Sequence, residues 1–354
     1  MKRETLLSLT SALVLALGGS PAQAKTVKIT PLGMRTGEFC APDRALLFED
    51  PTGVRILYDP GFTVAGGTDA RLGDVHVILL SHAHYDHLGS QKLDQDPDAD
   101  AASCTFAAGT TSAIPNSNTA EIAAAKNSAV IAGYGLANFL DGKIENILGV
   151  PTPECPIVGP TNELIVPRKT PCNGALGIGG KRTVRFVSAD QGVQITPVSA
   201  QHGNELLNAF LDDPLRSNLA ANKLDAYVGV ANGFVITFTN GLKVYLSGDT
   251  GHTADMAAIV RDFYRVNLAV FNISDRFVTG PDEAAFAVRK LIQPNAVIPS
   301  HANEVATQNG AVLSDTRTAR FMELLGNIPV FAPLSGVVME FDGNGQRLLG
   351  GPDF

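Results

Sequence analysis

His82-Ala83-His84-Tyr85-Asp86-His87, preceded by Val75-His76-Val77-Ile78-Leu79-Leu80-Ser81, decides the fold of this chain. The leading run is apolar and rich in β-branched residues, so it reads as a buried strand. Four good metal ligands, His82, His84, Asp86 and His87, then follow at the point where that strand ends. Open α/β sheets keep their sites at strand carboxyl ends, and a strand end holds imidazoles more rigidly than a free loop. Four ligands in six residues are aimed apart by the turning backbone, so two metal ions sharing the stretch fit better than one. Imidazole and carboxylate donors suit Zn first, with Mn or Fe as alternatives.

Working outward, the chain supplies further ligands in the same setting. Val193 to Val198 reads as a strand running into Gln201-His202-Gly203. Gly233 to Thr239 and Leu242 to Leu246 flank Asn240-Gly241, a strong hairpin signal, and deliver Ser247-Gly248-Asp249-Thr250-Gly251. Ala296 to Ile298 is a short strand ending in Pro299-Ser300-His301. Three more ligands, His202, Asp249 and His301, therefore stand at strand ends.

The remaining elements fill in an α/β pattern. Thr26 to Thr30 is a strand, and Ala45 to Glu49 with Val54 to Tyr58 forms a hairpin about Asp50-Pro51-Thr52-Gly53. Asp59-Pro60-Gly61 stops the second of these strands. From about 90 to 183 the chain reads as an irregular insertion with one helix, near Thr119 to Ala132. Val184 to Val187 is a strand. Helices are expected over Thr253 to Tyr264, over Asp282 to Ile292 behind Pro281, and up to Leu325 behind a cap at Ser314 or Asp315. Strands are expected at Leu268 to Ile273, Pro329 to Ala332 and Val337 to Phe341. Asp94, Asp96, Asp98 and Asp100 alternate as in a calcium loop, but Ala99 and Thr105 stand where such a loop needs Gly and Glu, so they read as a solvated acidic turn.

Composition sets the outer bounds. The 354 residues carry a formal charge of −8 with 45% hydrophobic residues and no Trp. No basic stripe interleaved with aromatics exists to grip a phosphate backbone, so nucleic acid is not expected as a partner. Lys2-Arg3, an apolar run from Leu6 to Leu17, and Ala22-Gln23-Ala24 make residues 1–24 a secretory signal, too short to remain as a membrane anchor. The mature chain, 25–354, is then periplasmic or secreted. Cys40, Cys104, Cys155 and Cys172 are an even set suited to two disulfides, with three pairings open.

Leu246 to Gly251, Gly233-Phe234-Val235-Ile236, Thr279 to Ala285 and Val297 to His301, taken with the His82–His87 stretch, resemble the metallo-β-lactamase fold superfamily. The second half is most similar to the group of L-ascorbate-6-phosphate lactonases and related metal-dependent hydrolases. More distantly, the phosphodiesterase that cleaves N-acylphosphatidylethanolamine shares the ligand pattern. The resemblance covers nearly all of the mature chain and implies a four-layered αβ/βα sandwich. It further implies that His82, His84 and His202 hold one metal, that Asp86, His87 and His301 hold the other, and that Asp249 bridges both.

The expected activity is hydrolysis of a small-molecule lactone or ester by a hydroxide shared between two divalent cations, since binding lowers the pKa of water from about 15.7 to about 7. Asp86 is the candidate to orient that hydroxide and pass its proton to the leaving group. His252, Tyr85 and Asn303 are candidate substrate contacts, whereas His76 reads as a satisfied core histidine. A phosphodiesterase or phospholipase of the same fold is the alternative. Outside hydrolysis, the rivals are an iron-dependent redox enzyme and a non-catalytic metal-binding protein.

Overall fold

Two sheets face one another in the computed structural model, which describes residues 25–93, 104 and 111–350. The first has eight strands in the order Arg347–Leu349, Met339–Phe341, Val27–Pro31, Leu46–Glu49, Arg55–Tyr58, Val77–Leu79, Ala129–Ile131, Cys172–Asn173. The second has seven, in the order Ala296–Ser300, Leu268–Asn272, Lys243–Leu246, Asn232–Thr237, Val193–Ser199, Arg182–Phe186, Glu163–Val166.

Period-two alternation produces the layers. Val77 and Leu79 enter the core between the sheets with Val244, Leu246 and Ile298, while Ile78 points the other way. Because both faces of the central strands are buried, these strands are apolar throughout. On the outer face of the first sheet, Leu57 and Ile78 pack with Ile122 of helix Asn118–Lys126 and Leu136 and Leu140 of helix Tyr134–Leu148. On the outer face of the second, Tyr245 and Phe271 pack under Val260, Val288 and Phe321. Those three residues come from the helices Met256–Tyr264, Ala287–Ile292, which continues Pro281–Phe286, and Arg317–Leu325. The result is helix, sheet, sheet, helix, the expected four-layered αβ/βα sandwich.

Strand direction then assembles one edge. Arg55–Tyr58, Val77–Leu79 and Ala129–Ile131 are mutually parallel. Lys243–Leu246, Leu268–Asn272 and Ala296–Ser300 are also parallel to one another. Val193–Ser199 reaches the same orientation through two antiparallel pairings. Every loop that carries a candidate ligand thus leaves its strand at a carboxyl end.

Several boundaries depart from the sequence expectations. The helix expected up to Ala132 ends at Lys126, where Asn127 adopts φ 54°. The β-branched run beyond it instead pairs with Val77–Leu79. The stretch 90–183 is more regular than an insertion, since it holds helix Tyr134–Leu148 and three strands of the two sheets. The last helix is capped by Thr316, whose hydroxyl accepts from Ala319 N at 3.1 Å, rather than by Ser314 or Asp315. Pro329 to Ala332 forms only a single bridge, Val330 to Val297. Disulfides join Cys40 to Cys104 and Cys155 to Cys172. The expected signal and the acidic turn at Asp94–Asp100 lie outside the described residues. No described helix is long and apolar enough to cross a membrane.

Candidate metal centre

The loop after Val77–Leu79 is held open by one carboxylate. Asp59 takes a hydrogen bond from Ser81 N at 2.8 Å and another from Ser81 Oγ at 2.7 Å, and lies 2.7 Å from His87 Nδ1. Because the Ser81 hydroxyl has only one proton and gives it to Asp59, its oxygen must accept at 2.9 Å from His82 Nδ1. Both imidazoles therefore carry hydrogen on Nδ1 and turn Nε2 forward, the atom that a metal would take. His84 stands at the N-cap of the short helix Tyr85–Leu88, which swings Asp86 and His87 to the second side of the loop.

The opposing sheet brings the partners. Gly248 adopts φ 59°, and a Cβ there would sit 2.7 Å from Asn232 O, so only glycine lets the Asp249 loop pass so close to its neighbour. Asn272 braces that loop by donating to Thr250 O at 3.1 Å and accepting from Ser247 Oγ at 3.0 Å. His301 adopts φ 50°, an uncommon conformation for a side-chain-bearing residue at a functional site.

All seven candidate ligands meet at this edge. His82, His84, His202 and Asp249 form one group whose ligand atoms lie within 4.8 Å of one another, and Asp86, His87 and His301 form a second. Asp249 faces both, with Oδ2 at 3.6 Å from His202 Nε2 and 3.9 Å from His82 Nε2, and Oδ1 at 3.3 Å from His87 Nε2. Its Oδ2 also lies 3.1 Å from His301 Nε2. His84 Nδ1 and His202 Nε2 are 3.1 Å apart, close to the roughly 3.4 Å edge of a tetrahedral zinc site. Asn204 ties the two sheets together here by accepting from Ala83 N at 2.7 Å.

A divalent cation fits these donors on a direct observation. His82 Nε2, His87 Nε2 and Asp249 Oδ1 are all buried without a hydrogen-bond partner. Each such group costs about 1–3 kcal/mol, and two imidazole nitrogens left unpaired on either side of one carboxylate is a pattern that bound cations satisfy. The charge states agree. Burial and the neighbouring His87 push His82 well below the ordinary imidazole value, and burial also lowers His202. Burial alone would raise Asp249, but His301 and His87 outweigh it and hold the carboxyl well below its usual range. For His87, burial is likewise outweighed, here by Asp249, Asp59 and Asp86, which hold the imidazolium up to about 10 in the absence of metal.

Two residues of the site, Arg44 and Asp59, are not signalled by the sequence around them. The buried Arg44 guanidinium places Nη2 2.7 Å from Asp86 Oδ2, 2.7 Å from Asn303 Oδ1 and 3.1 Å from His301 Nε2. Burial would raise Asp86, but Arg44 and then His87 override it and keep this carboxylate ionised. Asp59 is the other, since the sequence around it signals only the end of a strand.

Above the cluster lies a cavity of about 390 Å³. Tyr85 and Asn303 line it, as do Arg44, Phe62 and Phe277. His252 is not among the lining residues. It is exposed, and its ring lies 5.9 Å from that of Phe286. His76 accepts from Arg55 N at 2.9 Å and packs edge-on against Phe186, the satisfied role expected of it.

Residues 43–301 match the family described as the β-lactamase superfamily domain. A metal-dependent hydrolase of Cupriavidus metallidurans is 29% identical over 287 residues, which cover 81% of this chain and 76% of the relative. A second, from Polynucleobacter asymbioticus, is 26% identical over 302 residues, covering 82% and 81%. Among solved structures, a metallo hydrolase from the hyperthermophilic archaeon Ignicoccus hospitalis aligns with a TM-score of 0.52 at 19% identity, over 90% of this chain and 100% of its own. That last likeness is one of fold.

Proposed function

This chain belongs to the metallo-β-lactamase superfamily and is a metal-dependent hydrolase, and we propose that it holds two divalent cations and opens a lactone or related ester. The observation that carries the two-cation reading is the position of Asp249 between the two groups, with Oδ2 3.6 Å from His202 Nε2 of the first and 3.1 Å from His301 Nε2 of the second, and Oδ1 3.3 Å from His87 Nε2. His82, His84 and His202 would hold one ion and Asp86, His87 and His301 the other, with Asp249 shared. The donor set favours zinc, with Mn or Fe as the alternatives. When bound, such ions lower the pKa of water to about 7 and polarise the oxygen of an electrophile.

The chain's own residues do the rest. Asp59 and Ser81 lock the imidazole tautomers, so no reorientation is needed before reaction. Asp86, at the cavity floor, accepts a hydrogen bond from the attacking water and aims it at the carbonyl carbon. The water oxygen forms the new C–O bond, the ester C–O bond breaks, and the leaving alkoxide takes up the water's proton. Arg44 keeps the Asp86 carboxylate ionised, so Asp86 holds that proton only in passing. No protein nucleophile is required, and neither Ser81 nor Ser300 sits in a nucleophile-elbow sequence.

Export to an oxidising compartment is part of the same proposal. Two disulfides support it, because such bonds are rare where thiols are kept reduced.

A panel of lactones, carboxylic esters, phosphodiesters and β-lactams, assayed with and without a chelator alongside elemental analysis, tests the reading. Chelator-sensitive opening of lactones or esters with two equivalents of metal is the expected result. Turnover confined to phosphodiesters, or iron with no hydrolysis at all, overturns it.

A further inference from the structure

The walls of the cavity bear on which lactone or ester it accepts. Beyond the candidate ligands, Ala41, Pro42, Phe62, Tyr85 and Phe277 form most of the lining. Tyr85 and Phe277 are 52% and 60% exposed, so two large rings stand open to solvent at the same cavity. Phe62 and Tyr85 already meet, with ring centroids 5.8 Å apart. Exposed aromatic surface of this kind is stabilised when an apolar group covers it.

Charge points the same way. Among the described residues, Arg44 is the sole Lys or Arg that lines the cavity. Its Nη2 is committed to Asp86 and Asn303 at 2.7 Å each, Nη1 donates to Ala41 O at 3.4 Å, and Nε is buried. A phosphate or carboxylate on the substrate would need a guanidinium or ammonium free to pair with it. Arg276 is exposed and lies over the Phe277 ring, 4.9 Å from its centroid, without lining the cavity.

We propose that the substrate is an uncharged lactone or ester with an apolar substituent, seated against Phe62, Tyr85 and Phe277, and that anionic analogues are rejected. The proposal rests on the hydrolase reading and narrows it. It also separates this chain from the phosphorylated lactones that the sequence resemblance brings with it. A cavity of about 390 Å³ suits a compact molecule, since pockets for drug-sized ligands run from about 300 to 1,000 Å³.

The test uses the metal-loaded protein and γ-lactones bearing hydrogen, butyl, octyl or a carboxylate-terminated chain, with kcat/KM and equilibrium binding both measured. Affinity is expected to rise about threefold per buried methylene until the cavity fills, and to fall for the carboxylated compound. Phe277→Ala should lower the ratio of octyl to unsubstituted kcat/KM roughly tenfold, chiefly through KM, in protein that still holds its full metal content. Phe277→Lys should recover the carboxylated lactone. Equal or better binding of the carboxylated compound by the unaltered protein overturns the proposal, as does a flat alkyl series. Alkyl-dependent binding without turnover would uphold the apolar preference while overturning the lactone and ester reading, so the two fail separately.

Discussion

The two halves of the centre are built from similar ligands but in different electrostatic surroundings. His82, His84, His202 and Asp249 meet without a cationic side chain among them, and burial keeps His82 and His202 neutral. Asp86, His87 and His301 share their space with Arg44, whose guanidinium already lies 2.7 Å from Asp86 and 3.1 Å from His301. A cation entering the second half meets a like charge and must also displace a proton from His87. The first half is therefore expected to be the tighter site, and the second the one tuned by the protein around it.

The largest test of this comparison removes what the halves share. Asp249→Ala should cost on the order of 10³-fold or more in turnover and lower metal content in both halves. A variant that still holds two ions would break the assignment of Asp249 as the shared ligand. Asp59→Ala acts on one half directly, because Asp59 fixes His87 while reaching His82 only through Ser81. The second affinity should fall about 10- to 100-fold with the first much less affected, a split that calorimetric titration resolves.

Proton linkage sharpens the contrast further. In the metal-free protein the folded-state pKa of His87 is raised to about 10, above its unfolded value. Its protonation thus stabilises the fold below about 6.5, and that contribution is lost as pH rises through about 10. Metal entering the second half must release that proton, so its affinity should rise up to about tenfold per pH unit between pH 7 and 9, while the first site changes little. Titrations in buffers of different ionisation enthalpy count the proton; none released would contradict the state assigned to His87. The smallest effect expected is from Arg44→Gln, which removes the like charge and should tighten the second metal roughly fivefold, read by competition with a chromophoric chelator. Weaker binding there would mean that Arg44 supports the ligands more than it repels the cation.

What the sequence made legible follows from locality. His82 to His87 announces itself because its ligands are consecutive, and His202, Asp249 and His301 each follow an apolar run that reads as a strand. Asp59 also follows such a run, but the adjoining Pro60-Gly61 gives it the look of a simple stop. Only the parallel pairing of Tyr58 with Leu79 sets it beside Ser81 and His87. Arg44 precedes a strand instead of ending one. It reaches the centre because Leu46 pairs antiparallel with Tyr58, which brings the start of that strand to the edge where the others finish. Helix Tyr134–Leu148 is not legible because it opens at Gly133 without a side-chain cap and carries Gly135 and Gly142 within the stretch 90–183 that reads as irregular.

The central claim is that two ions bind unequally around Asp249 and that hydrolysis depends on them. Stepwise addition of Zn to the chelator-stripped protein, with binding and lactone or ester turnover followed in the same samples, tests it most directly. The account predicts two equivalents, a tight one followed by a weaker and pH-dependent one, with turnover restored as they bind. A single equivalent, two indistinguishable sites, or hydrolysis indifferent to metal would contradict it.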